Sequence, residues 1–294
     1  AAVDAGSLSA ASRRLGVPLA TVSRKVSELE AYLGTRLVNR SRRLTVTEAG
    51  HSYVAACKRI LDDVGEAERA ASGEYRAPRG DLIITAPIVF GRLHVLPIVS
   101  EFLKAFSEID VRLFLSDRVV NLFEDPIDLA VRIGDLPDSS LVATRVGAIR
   151  RVVCASPDYF SARGIPKNPD ELAAHDCITF EALMAPEAWT FGIGRSEVSV
   201  PIHSRLVVNT AEAAIDAAVA GVGITRVLSY QITNATRVGK LVIALREFEP
   251  APWPVSLVYS GGRLLPLKLR AFLDFAALRL KGRLAEIRGR ACRS

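Results

Sequence analysis

The hydrophobic period changes once along this chain, and that change limits its fold more than any other feature. Between Leu8 and Ala67 apolar residues recur every three or four positions. After Asp81 short apolar runs alternate with helical stretches. The change falls at "RAPRGD", residues 76–81, where Pro78 and Gly80 read as a hinge. A helical head joined to an α/β body is therefore the expected plan. The 294 residues suffice for two or three units with real cores.

The head reads as two short helices. In "SLSAASRRLG", Leu8, Ala11 and Leu15 share a helical face, with Ser7 as a candidate N-cap and Gly16 as a candidate stop. Pro18 suits the first turn of a second helix. There Val22, Val26, Leu29 and Leu33 repeat at i, i+4, i+7 and i+11 before Gly34. Two such helices joined by a glycine turn make a helix-turn-helix. "RLVNRSRRLTVT", residues 36–47, then reads as a small hairpin around a basic turn. The major groove of double-stranded DNA admits one α-helix, whose N-terminal side chains reach base edges. Leu19, Ala20, Thr21, Ser23, Arg24 and Lys25 hold that position. Arg40, Arg42 and Arg43 in the hairpin suit phosphates or the minor groove. The competing reading of the pattern is an ordinary surface helical hairpin.

A long helix follows Thr47, with Val54, Cys57, Ile60, Leu61, Val64 and Ala67 on one narrow stripe. A small head cannot cover such a stripe, so it is expected to pack against a second copy. The expected divisions are 1–47, 48–78 and 79–294. In the body, strands at "DLIITAP", "DVRLFLSD" and "IDLAVRIGD" separated by helical stretches imply a mostly parallel open sheet. Ligands of such sheets sit beyond the carboxyl ends of the strands, where helix N-termini favour anions. Thr85, Ala86 and Pro87, then Ser116 with Asp117, then Arg132 and Ile133, lie at three such ends. Asn209 and Thr210 open the helix at 211–220. The same residues serve equally as caps and turns.

Charge is unevenly spread. Residues 1–47 carry eight Lys and Arg against three Asp and Glu, whereas residues 81–262 carry sixteen against twenty-one. A basic head on an acidic body points to a polyanion partner for the head alone. Residues 263–294 are basic too, nine against two, which reads as a solvated surface. Neither a membrane span nor a secretory leader is visible, and four dispersed cysteines suit a reduced cytoplasm. The four histidines lack metal spacing, no cofactor motif is present, and His175-Asp176-Cys177 is a poor nucleophilic site because neighbours in a strand face opposite ways. A redox pair of Cys154 and Cys177 is a minor alternative.

With these residues in view, "GSLSAASRRLGVPLATVSRKVSELEAYLGTRLVNRSRRLTVTEAG" resembles the DNA-binding head of LysR-type transcriptional regulators. The likeness continues through "DLIITAPIVFGR", "LSDRVVNLFEDPIDLAVRIGDLPDSSLVATRVG", "RRVVCASPDYF" and "AVAGVGIT". It implies an N-terminal winged helix-turn-helix, a long linker helix that dimerises, and a two-lobed α/β effector domain like the type 2 periplasmic binding proteins. Lobe I is expected at about 81–157 and 256–285, and lobe II at about 158–255. The family pattern begins roughly a dozen residues earlier, so Ala1–Val3 matches the end of its first helix. Pro18-Leu19 stands where the family often carries Ser-Gln, so base readout by that Gln is absent. The resemblance places the four sensor segments in an inducer cleft, with hydroxyls from Thr85, Ser116 and Thr210 and with Arg132 suited to a carboxylate. It implies a cytoplasmic regulator, not an enzyme, bound as a homodimer or homotetramer to a pseudo-palindromic operator and answering to a small-molecule effector. A periplasmic-type solute-binding protein without a DNA-binding role is the alternative, and an enzyme on the same body is a third.

Overall fold

The computed structural model describes residues 1–40, 44–71, 77–117, 127–137, 139–180, 188–192, 194, 197–261 and 265–291. The chain divides into a unit of Ala1–Arg76 and a larger one of Ala77–Leu122 with Ile127–Ser294.

The first unit holds α1 (Leu8–Leu15), α2 (Leu19–Leu33), strands β1 (Val38–Arg40) and β2 (Leu44–Val46), and α3 (Glu48–Ala71). Its ends follow the sequence signals. Ser7 Oγ accepts the Ala10 amide at 3.1 Å, and Gly16 and Gly34 stop α1 and α2 with φ of 66° and 64°, a region that favours glycine. The antiparallel pair β1–β2 is the expected hairpin. Thr47 joins it to α3: its hydroxyl donates to the Arg36 carbonyl at 2.7 Å and accepts the Gly50 amide at 3.0 Å. A Cβ on Gly50 would lie 2.0 Å from the Leu37 carbonyl oxygen, so only glycine permits this approach.

The second unit contains two five-stranded sheets. In the first lobe the strands are β3 (Gly80–Ala86), β4 (Ile109–Leu115), β5 (Leu129–Ile133) and β6 (Leu141–Ile149). The second lobe uses β7 (Arg151–Ala155), β8 (Asp176–Phe180), β11 (His203–Val208), β12 (Ile224–Leu228) and β13 (Val242–Ala244), and a separate ribbon pairs β9 (Ala188–Phe191) with β10 (Val198–Pro201). β14 (Trp253–Ser260) returns to the first lobe. The orders are β4-β3-β5-β14-β6 and β11-β8-β12-β7-β13.

The expected mostly parallel arrangement occurs in both sheets with one refinement: each is mixed, four strands running one way and one the other. In each, three parallel strands are followed by one reversed strand, β14 or β7. The reason lies in the connections. Each reversed strand is the one that has just crossed from the other lobe, so it starts where its neighbours end. The register shows this: Arg151, first in β7, pairs with Leu228, last in β12, and Val255 near the start of β14 pairs with Ile133, last in β5. The lobe boundaries move accordingly. Residues 151–155 belong to the second sheet and not to an 81–157 lobe, and the return strand begins at Trp253 and not at 256.

The two crossings are tied together. Arg150 follows β6, Glu249 precedes β14, and Arg150 Nη1 donates to both Glu249 carboxylate oxygens at 3.0 and 2.9 Å. Burial raises the Glu249 carboxyl above its ordinary range, with Arg150 pulling it back down. In the first lobe one core joins Phe90, Phe102 and Ile98 to Phe272 and Leu280 of the long C-terminal helix, Leu267–Ala291. The second lobe is packed on both faces, around Trp189 and Phe191 on one side and Ile178 and Val227 on the other. The helical stretch expected between "DVRLFLSD" and "IDLAVRIGD" falls at residues 118–126, outside the described residues.

Candidate DNA interface and effector site

The exposed face of the head is built on α2. Pro18 precedes the helix and leaves its first turn without a side-chain cap. Leu19 and Ala20 are exposed, Thr21 and Ser23 are half-buried, and Val22 turns inward with 8% exposure. Arg24 and Lys25 stand in solvent and share one partner. Arg24 Nη1 reaches Glu28 Oε1 at 3.3 Å, and Lys25 Nζ reaches Glu28 Oε2 at 3.2 Å. Exposed pairs of this kind stabilise weakly, so both cations remain available to a stronger anion. Arg40 closes β1, and Arg42 and Arg43 lie outside the described residues.

One structural contact in the head was not anticipated. Glu30 Oε1 accepts the amides of Leu37 and Val38 at 2.9 and 3.1 Å, which fixes the hairpin to the inner side of α2. Seven and eight residues separate these partners, beyond any helical period, so nothing in the sequence pattern signals the contact. On α3 the middle of the stripe stands in solvent: Ile60, Leu61 and Val64 are 61%, 69% and 48% exposed, Val54 and Cys57 are half-buried, and the Ala67 side chain lies outside what is described.

In the second unit, β3, β4 and β5 run parallel, so the ends at Ala86, Leu115 and Ile133 come to one edge. Thr85 and Ala86 are buried, at 2% and 1% exposure, so the Thr85 hydroxyl does not face solvent. Pro87 and Ser116 are half-buried beside them. The helix start at Ile88 already has an anionic cap, since Asp117 Oδ1 accepts its amide at 3.0 Å. Arg132 and Ile133 face opposite sides of the sheet, and burial lowers the Arg132 guanidinium from its ordinary range. Asn209 is exposed, and Thr210 Oγ1 caps the 211–219 helix (Ala211–Val219) through the Ala213 amide at 3.2 Å.

Tyr230 marks where the two lobes meet. It follows β12 of the second lobe and packs edge-on against Phe90 and His94 of the first, both with ring centres at 5.4 Å. Burial raises its phenol, and Asp117 from one lobe and Glu212 from the other add to the rise. His94 is pushed down to about 4 by burial and then by Arg283.

The redox alternative fails on geometry. Cys154 pairs with Thr225 and Cys177 with the adjacent Ile224, so the thiols face opposite sides of the sheet across β12. Burial pushes both up to about 12, which suppresses the thiolate. Among the described residues no His, Cys, Asp and Glu cluster could hold a metal, and no helix is long and apolar enough to cross a membrane.

Comparison with known proteins follows the same division. Residues 1–51 match the bacterial regulatory helix-turn-helix protein, lysR family, and residues 76–281 match the LysR substrate binding domain. A relative described as an HTH-type transcriptional regulator from Xanthomonas campestris pv. campestris is 35% identical over 283 residues, spanning 95% of this chain and 82% of its own. The HTH-type transcriptional regulator CrgA of Neisseria meningitidis is 32% identical over 278 residues, 93% of this chain and 92% of its own. Its solved structure has a TM-score of 0.62 at 30% identity and covers 95% of both chains. The full-length structure of the Vibrio cholerae virulence activator AphB has a TM-score of 0.60 at 27% identity and covers 94% of both. The chain belongs to the LysR-type family of transcriptional regulators, with a helix-turn-helix head and an effector-binding domain.

Proposed function

We propose that this regulator reads DNA with the first turns of α2 and controls a nearby gene or operon. Leu19, Ala20, Thr21, Ser23, Arg24 and Lys25 face the major groove, and Arg40, Arg42 and Arg43 reach the flanking backbone or minor groove. The observation that carries this reading is the solvent-facing N-terminal half of α2, where two exposed cations share the exposed Glu28. Two copies pair along the exposed α3 stripe, as a dimer or as a pair of dimers, so that two recognition helices meet a pseudo-palindromic site. A small-molecule effector binds where the strand ends of the two lobes converge, near Pro87, Ser116, Arg132, Ile133, Asn209 and Thr210, with Thr85 and Ala86 beneath. It acts by changing the angle between the lobes.

An electrophoretic shift assay with the intergenic DNA beside the gene tests this. Binding should weaken steeply with salt, as counterion release requires. Arg24→Ala should reduce affinity by about 1–3 kcal/mol. Unchanged affinity would show that α2 does not dock as proposed. The solute-binding alternative has no use for the head, and a specific shift rules it out.

A further inference from the structure

Within the head, α2 and the start of α3 both hold one residue, Leu37. On the α2 side the Glu30 carbonyl accepts the Thr35 amide at 3.2 Å, which turns the chain back after the helix. Glu30 Oε1 then accepts the amides of Leu37 and Val38 at 2.9 and 3.1 Å. On the α3 side the Leu37 carbonyl accepts the Thr47 amide at 3.0 Å. The Thr47 hydroxyl, bonded to the neighbouring Arg36 carbonyl, lies 3.1 Å from the same oxygen and also accepts the Gly50 amide of α3. The Leu37 N–H is thus bound to α2 and its C=O to the start of α3.

This junction leaves little play. Leu37 and Val38 are 5% and 6% exposed, so a backbone bond broken there leaves a group with poor access to water. Amides that donate to a carboxylate make charge-assisted bonds, about twice as strong as neutral ones. The first turn of α3 approaches so closely that a Cβ on Gly50 would also lie 2.8 Å from Val46 Cγ1, across the hairpin from Val38. Any swing of α2 against α3 has to break several of these contacts together.

We propose that Glu30 is a positioning residue that sets the separation of the two DNA half-sites. This rests on the reading in which α2 enters the major groove and two copies pair along α3. In such a dimer the angle between α2 and α3 decides how far apart the two α2 helices stand, and how far around the duplex. Glu30 contacts no base in this arrangement. It aims α2 through Leu37, so sequence preference stays with the first turns of α2 while strictness of spacing belongs to Glu30.

The test begins with the full chain selecting duplexes from a random-sequence pool, which yields the half-sites and their separation. Shift assays then compare the selected duplex with one carrying two extra base pairs between the half-sites. That insertion turns one half-site away by about a fifth of a helical turn. The unaltered chain should lose most of the gain from engaging both half-sites, about 100-fold in affinity. Glu30→Ala should prefer the same half-site sequence yet lose about tenfold or less on insertion. Glu30→Gln keeps an oxygen that accepts both amides and should restore strict spacing. Thr47→Val loosens the junction from the other side and should relax the spacing, whereas Thr47→Ser should not. A full penalty retained by Glu30→Ala overturns the proposal. If Glu30→Ala binds no specific sequence, Thr47→Val decides: relaxed spacing supports the proposal, and strict spacing or no binding overturns it. An unaltered chain that tolerates the insertion also overturns it and leaves the DNA reading intact. An unaltered chain that selects no sequence strikes the DNA reading itself.

Discussion

The head and the body hold themselves together by different means. The body buries large side chains in continuous cores: Phe90, Phe102, Phe272 and Ile98 in the first lobe, and Trp189, Phe191 and Ile178 in the second. Among the described residues of the head, the buried apolar side chains are the small set Ala11, Val22, Leu37 and Val38, while Leu15, Leu19 and Tyr32 stand at 52%, 48% and 87% exposure. The head relies on point contacts instead, through Glu30, Thr47 and the Asp4–Lys58 pair at 2.8 Å. Burial secures a fold regardless of surroundings, whereas a surface left apolar and basic is available for a partner.

That contrast can be broken by experiment. Phe102→Ala removes a fully buried ring in contact with Phe106, Phe272 and Phe275, and should cost the body about 3–5 kcal/mol. Calorimetry should then show the body's transition falling while any separate head transition stays in place. A common shift of both would show that the head borrows its stability from the body.

His94 gives the next largest effect. Its folded value of about 4 lies below the ordinary 6.5. Above 6.5 it is neutral in both states. As pH falls from 6.5 towards 4 the unfolded chain takes up a proton that the folded chain does not, so stability is lost, by at most about 3 kcal/mol. Urea midpoints for His94→Leu should fall less between pH 7 and pH 4.5 than those of the unaltered protein.

In the head the effects are smaller and local. Thr47→Ala removes the cap of α3 and its tie to the hairpin, and should cost about 1 kcal/mol, visible in DNA affinity while the body's melting stays put. Glu28→Gln frees Arg24 and Lys25 and removes a negative charge from the proposed DNA face. Affinity should rise by a few-fold, equivalent to under about 1 kcal/mol, in a shift assay at low salt. A fall in affinity would mean that Glu28 positions the two cations.

What could be read from the sequence was local. Ser7, Gly16, Pro18 and Gly34 punctuate the first two helices through backbone preferences that act within four residues, and the structure follows them. The edge shared by Ala86, Leu115 and Ile133 was also legible, since consecutive parallel strands carry their ends to one side. The reversed strands were not, because β7 and β14 pair with segments that only the crossing between lobes brings near. Strand period alone also fails to say which face a residue takes. Arg132 stood out by its place at a strand end, but its register with Ser256, between the core residues Val255 and Leu257, is what assigns its side of the sheet. Asp117, read only as a strand-end residue, caps the neighbouring helix through pairing over 29 positions.

The Arg150–Glu249 pair has a mechanical meaning. It fastens together the only described stretches by which the chain passes between lobes, at partly buried positions where the pair resists exchange with water. Two strands clipped side by side bend as one leaf, but neither slides past the other without breaking a charge-assisted bond. A hinge rotation of the lobes leaves this pair intact, whereas a slide of one crossing past the other breaks it. The clip therefore favours bending over shear, so that the proposed effector would be read out as an angle.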